Sequence, residues 1–212
     1  MRIKSFVFNP FQENTYILYD ESRECIIIDP GCHNEIEEKE LAKFITEKKL
    51  KPVGLINTHC HIDHILGNHF VANRWNIDLQ IHELEIPFLN AVKSYYIEYG
   101  ISNYKESPEP KLYLKEGDKI TFGESILNIL FTPGHSPGHI CLYSKTNSLI
   151  ISGDIIFQMG IGRTDLPGGN YDILIKSITE KLFLLPEETQ IYCGHGPSTV
   201  LAFEKENNPF LQ

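Results

Sequence analysis

The chain has 212 residues, a formal net charge of −9, and an ordinary globular composition with 42% hydrophobic and 22% charged residues, which excludes disordered and collagen-like classes. A chain this long buries roughly 70% of its unfolded surface without cross-links, and it reads as a single domain over residues 1–212. Its acidic balance repels phosphate backbones and no basic patch offsets it, so nucleic acid is not an expected partner.

The chain opens on short β-rich runs, Ile3 to Phe8, Thr15 to Tyr19 and Cys25 to Ile28, separated by turn residues as in a meander. Asp29-Pro30-Gly31 stops the third run, and Glu35 to Lys49 has helical spacing of its apolar residues. A strand at Val53 to Asn57 leads into a histidine cluster. A helix from about Ile65 to Asn73, a short strand at Ile77 to Ile81 and a helix from Glu83 to about Tyr96 follow. The polar, proline-interrupted stretch from Gly100 to Pro110 reads as a surface loop. Strands return at Ile126 to Phe131, Ile140 to Tyr143 and Leu149 to Ser152. A glycine-rich loop, a helix from about Asp172 to Leu182, a strand at Gln190 to Cys193 and a short terminal helix complete the chain. Strands followed by helices, twice over, predict sheet packed on sheet with helices outside. The five cysteines form no C-x-x-C pair, which fits reduced thiols. No signal-peptide pattern or apolar run of spanning length is present, so the expectation is a cytoplasmic protein with no membrane partner.

The densest chemistry lies in Thr58-His59-Cys60-His61-Ile62-Asp63-His64. In an extended segment leaving a strand, positions i, i+2 and i+4 point the same way, so His59, His61 and Asp63 face one cavity. If Asp63 begins the next helix, the turn brings His64 back toward it, giving two neighbouring ligand sets. Several imidazoles and a carboxylate beside an apolar strand are costly to bury without a compensating cation. Nitrogen and oxygen donors suit zinc, iron or manganese, and the lack of thiolate spacing argues against a closed structural site. Cys60, whose side chain points away from the ligands, reads as a small core residue. Three further positions, His135, Asp154 and His195, each lie at the end of an expected strand beside glycine.

In this order, and beginning with the Asp29-Pro30-Gly31 turn, these segments resemble the metallo-β-lactamase superfamily over nearly the whole chain. The resemblance implies an α/β fold, the αββα sandwich of two mixed sheets flanked by helices. It also implies two divalent ions, zinc first and iron or manganese as alternatives. Carried onto matching positions, it puts His59, His61 and His135 on one metal, Asp63, His64 and His195 on the other, and Asp154 on both. His139 matches no ligand position and reads as a supporting residue.

Gly160-Ile161-Gly162-Arg163-Thr164-Asp165-Leu166 resembles the glyoxalase II-like branch, which implies hydrolysis of a hydroxyacyl thioester such as a hydroxyacylglutathione. Two ions would activate a bridging water there, with Asp63 also orienting the nucleophile as a catalytic residue. The alternative is an iron persulfide dioxygenase using His59, His135 and Asp154. A nuclease-like module is opposed by the acidic balance. Full-length glyoxalase II adds a basic helical region, whereas the residues after His195 hold one basic side chain, Lys205. Arg163 is therefore the candidate substrate-binding cation, with an ion pair to Asp165 as its structural counterpart. Tyr95, Tyr96 and Tyr104 read as core, pocket lining or a homodimer face.

Overall fold

A computed structural model describes residues 1–212, which form two compact units, residues 1–113 with 121–125, and residues 114–120 with 126–212.

In the first unit, β1 (Arg2–Phe8), β2 (Glu13–Tyr19) and β3 (Glu24–Ile28) are an antiparallel meander, with Tyr16 opposite Ile28. Helix α1 (Glu35–Glu47) starts at Asn34, whose side chain accepts from the backbone N–H groups of Ile36 and Glu37, a capping interaction reinforced by acidic residues in the first turn. β4 (Lys51–Ile56) returns parallel to β3, with Ile56 beside Ile28. Then come α2 (Ile62–Ile65), α3 (Asn68–Trp75), β5 (Leu79–Ile81), α4 (Ile86–Tyr95) between two short 3-10 turns, and β6 (Leu112–Tyr113). The sheet order follows the chain, β1 to β6. β2 and β3 are buried almost throughout, as strands covered on both faces are. Their core includes Ile17, Ile27, Leu41, Leu55, Ile65 and Leu79.

The second sheet has β7 (Lys119–Phe122), β8 (Ser125–Phe131), β9 (Ile140–Ser144), β10 (Leu149–Gly153), β13 (Gln190–Cys193) and β14 (Thr199–Val200), in the order β14-β13-β10-β9-β8-β7. A small ribbon, β11 (Ile156–Phe157) with β12 (Gly160–Ile161), and helix α5 (Tyr171–Glu180) intervene between β10 and its parallel neighbour β13. Helix α6 (Leu201–Asn207) follows β14. α5 buries Leu174 and Ile178 in a core with Ile150, Ile156 and Ile191. Both sheets are mixed, and with their helices they give the expected α/β class.

Differences from the sequence reading are local. The helix expected over 65–73 is two helices, because the Gly67 N–H leaves the helical ladder to bond Pro30 O at 2.6 Å. The strand expected from Ile77 starts at Leu79, after Asn76 in the left-handed region (φ 53°). β6, β11, β12 and β14, two residues each, and the four-residue β7 are additional. No helix is long and apolar enough to cross a membrane.

Candidate metal centre

Because β3 and β4 run parallel in register, Asp29 and the segment from Asn57 to His64 leave the same end of neighbouring strands. The Asp29 N–H continues the ladder onto Ile56 O at 2.9 Å. The Asp29 carboxylate then collects the loop: Oδ1 accepts from Thr58 N at 2.7 Å, and Oδ2 from Thr58 Oγ1 at 2.6 Å and His64 Nδ1 at 3.1 Å. The donor atoms of Asp29, His59 and His64 lie within 4.8 Å of one another. Because both Asp29 oxygens hold the loop, Asp29 orients ligands rather than acting as one.

Thr58 gives its only proton to Asp29, so at its 3.1 Å contact with His59 Nδ1 it accepts. Both His59 and His64 therefore carry their proton on Nδ1, which makes Nε2 the ligating nitrogen. Further bonds fix the backbone. Asn57 Nδ2 donates to His64 O at 2.8 Å, Asn9 Nδ2 donates to Asp63 O at 3.0 Å, and Cys60 N donates to buried Glu85 at 2.7 Å. His61 precedes the first turn of α2 as its cap residue. The imidazoles crowd together, with ring centres 4.7 Å apart for His59 and His61 and 4.1 Å for His59 and His64.

The second unit repeats the device. β10 and β13 are parallel, with Gly153 opposite Cys193, and Asp154 and His195 follow at the same end. His135 comes from the turn between β8 and β9. Its Nδ1 donates to Arg163 O at 2.7 Å, again leaving Nε2 to ligate. Asp154 Oδ2 lies 3.6 Å from His135 Nε2 and 3.5 Å from His195 Nε2. In the first unit, His64 Nε2 and Asp63 Oδ2 are likewise 3.6 Å apart. These separations exceed hydrogen-bond length. They match the roughly 3.4 Å between two donors that share one tetrahedral cation at about 2.1 Å. The residues present thus fit divalent metal, and Asp154, flanked on both sides, has the spacing of a shared carboxylate.

His139 is held elsewhere: its Nε2 accepts from Asp154 N at 3.1 Å and its Nδ1 faces Thr132 Oγ1 at 3.0 Å. Gly162 is required by close approach, since a Cβ there would run into the Asp154 carbonyl. The Arg163 guanidinium forks onto Asp165 through two 2.7 Å bonds, the side chains 59% and 69% exposed. That fork holds the Asp165 carboxyl down at about 2. The candidate anion contact is thus in an ion pair, and the segment serves the site through its carbonyl on His135. Tyr96 packs on Tyr104 and Tyr95 on Tyr99 as tilted ring pairs, each with centres 5.5 Å apart. Burial, then Tyr99, Tyr104 and Asp63, push the Tyr95 phenol up to about 12, so it is neutral. His33 and His69 bond to Glu37 and to the Glu106 carbonyl, and His82 accepts from Leu84 N.

Asp29, Thr58, Asn9 and Glu85 support the site although none belongs to the expected ligand set. The only local sign of this is a charged residue ending an apolar strand at Asp29. The bonds that give it meaning span up to 35 positions.

The family model described as the metallo-beta-lactamase superfamily matches residues 8–195. The chain belongs to the metallo-β-lactamase superfamily. Within it, the chain is 41% identical to "Probable metallo-hydrolase YqgX" of Bacillus subtilis, over 100% of this chain and 98% of that protein. It is 33% identical to "Hydroxyacylglutathione hydrolase GloC" of Haemophilus influenzae, again over 100% and 98%. Among solved structures, it matches BLEG-1 B3 metallo-β-lactamase with a TM-score of 0.90 at 33% identity, covering both chains fully. TTHA1623 in a di-iron-bound form matches with a TM-score of 0.88 at 32% identity, over 98% of this chain and 100% of that one. This superfamily member has the metallo-β-lactamase fold and is a metal-dependent hydrolase with histidine and aspartate groups for a dinuclear site.

Proposed function

We propose that this metallo-hydrolase cleaves a thioester, of the hydroxyacylglutathione or a similar hydroxyacyl class, using two zinc ions. In this reading His59, His61 and His135 hold one ion, Asp63, His64 and His195 the other, and Asp154 both. The observation that carries it is the Asp154 carboxylate oxygen placed 3.6 and 3.5 Å from two imidazole nitrogens. Two divalent ions supply Lewis acidity and an activated water at neutral pH.

The chain's own residues do the rest. Asp29 and Thr58 fix the tautomers of His64 and His59, the Arg163 carbonyl fixes that of His135, and Asp63 orients the nucleophile. The thioester class is supported by the likeness to GloC. That relative is matched over 98% of its own length, so the activity its name states needs no appended basic region. Arg163 remains the candidate contact for the acidic tail, available when its pair with Asp165 opens.

Metal analysis of protein purified without added metal, together with turnover of a lactoyl thioester, tests the reading. Two equivalents of zinc with hydrolysis is the expected result. One equivalent of iron with oxygen consumption replaces it with the persulfide dioxygenase reading, and two equivalents of iron with hydrolysis changes the metal only. Comparing kcat/KM for the glutathione thioester and an N-acetylcysteamine analogue measures the tail. The expected preference is under about tenfold, because an exposed charge pair contributes about 0 to 1 kcal/mol.

A further inference from the structure

Glu13 opens β2 with its side chain fully buried. Its Oε1 is a buried atom with no hydrogen-bond partner, and its Oε2 lies 2.9 Å from Thr15 Oγ1. Thr15 Oγ1 has two other neighbours. The Gly31 N–H donates to it at 2.8 Å, and the Asp29 carbonyl oxygen is 2.9 Å away.

A hydroxyl has one proton and two lone pairs. The Asp29 carbonyl can only accept, so it takes the Thr15 proton. One Thr15 lone pair receives Gly31, and the other faces Glu13. That last contact is a hydrogen bond only if Glu13 carries a proton to donate. An ionised Glu13 would compete with the Asp29 carbonyl for the single Thr15 proton and leave one oxygen pair facing at 2.9 Å with no hydrogen between them.

We propose that Glu13 is a neutral carboxylic acid that donates to Thr15 and so positions the Asp29-Pro30-Gly31 turn, whose carboxylate orients His64. The part concerning His64 rests on the ligand assignment above. The protonation of Glu13 does not.

The surroundings agree. Burial pushes the Glu13 carboxyl well above the usual carboxylate range. His64 and the Thr15 contact draw it down, while Asp29 and Asp63 push it further up, and an ionised Glu13 would in turn push the buried Cys32 thiol up. A fully buried carboxylate with one hydrogen bond and two acidic neighbours is the costly alternative. The space is shaped for this acid, since a Cβ on Gly31 would collide with Glu13 Oε2 and then with Asn9 and the Asp63 carbonyl. Glu13 reaches His64 through Thr15 and Asp29, so its role is positioning.

The test compares full-length wild type with Glu13→Gln, whose amide N–H replaces the acid O–H, and with Glu13→Ala. Infrared difference spectra at neutral pH should show a protonated-acid carbonyl band in wild type that vanishes in Glu13→Gln, with or without metal. Glu13→Gln should keep wild-type metal affinity and melting temperature, while Glu13→Ala binds metal about tenfold more weakly. Absence of the acid band overturns the protonation. Glu13→Ala binding metal as wild type does, or Glu13→Gln binding as weakly as Glu13→Ala, overturns the positioning role. If Glu13→Ala does not fold, the band and the Glu13→Gln affinity still decide. Failure of the zinc assignment leaves the band unchanged, so the two readings fail separately.

Discussion

The Asp154 backbone N–H donates to His139 Nε2 at 3.1 Å, which puts the imidazole proton on Nδ1 and commits Nε2 to the backbone rather than to a cation. His139→Ala should therefore still bind two equivalents at saturating metal, with affinity lowered 10- to 100-fold, the usual effect of removing a group that holds a ligand. Titration followed by elemental analysis checks this. A variant saturating at one equivalent would make His139 a ligand.

Asp154→Ala should do more damage than any single histidine variant, because the carboxylate is flanked by two imidazole nitrogens at cation-sharing distances. Its metal content should fall below that of His61→Ala, and both variants should lose more than about a hundredfold in kcat/KM. Two equivalents bound to Asp154→Ala with unchanged turnover would refute the shared-ligand assignment.

All five cysteines are free and buried. Burial pushes the Cys25 and Cys193 thiols up to about 12, far from the thiolate form that reacts. Native protein should give under about one equivalent with a thiol reagent in minutes, and all five after denaturation. Prompt reaction of Cys60 in the native protein would show that the ligand loop opens.

Asp20 governs part of the acid limb of stability. Partial burial pushes its carboxyl up, yet bonds from Ser22, Ser125 and Glu124 win and hold it at about 2, below the ordinary 3.8. A depressed folded-state value means that the ionised group stabilises the fold above pH 3.8, a contribution lost as pH falls through about 2. Asp20→Asn should melt lower than wild type at pH 7 and show a shallower drop between pH 4 and pH 2. Parallel melting curves against pH would contradict this.

How much was legible in the sequence follows from the range of each interaction. His59, His61, Asp63 and His64 declare themselves because their donors crowd into six positions, but the strand period of two holds only for His59 and His61, since the chain turns into α2 at Ile62 and Asp63 and His64 are both helical. His135, Asp154 and His195 are marked by strand ends and glycine. The orienting bonds leave no local trace, since His64 meets Asp29 across 35 positions and Asn9 meets Asp63 across 54. Two-residue strands such as β6 and β11 are too short for any periodicity. The division of the helix at Gly67 depends on Pro30, far upstream.

Asp29 holds a left-handed backbone, φ 48°, a conformation that costs an ordinary L-residue on the order of 1 kcal/mol and glycine almost nothing. The turn thus keeps a strained residue where an unstrained one would fit, and what it retains is a carboxylate. Stability and chemistry are opposed at this one position, as is common where a fold serves a site. Asparagine tolerates the same backbone but keeps only one acceptor oxygen, putting an amide N–H where an Asp29 oxygen accepts from the loop, so Asp29→Asn leaves the backbone strain in place and removes the orienting carboxylate. Its metal affinity should drop 10- to 100-fold, and an Asp29→Asn protein that binds metal as tightly as wild type would mean that the strain serves the turn alone.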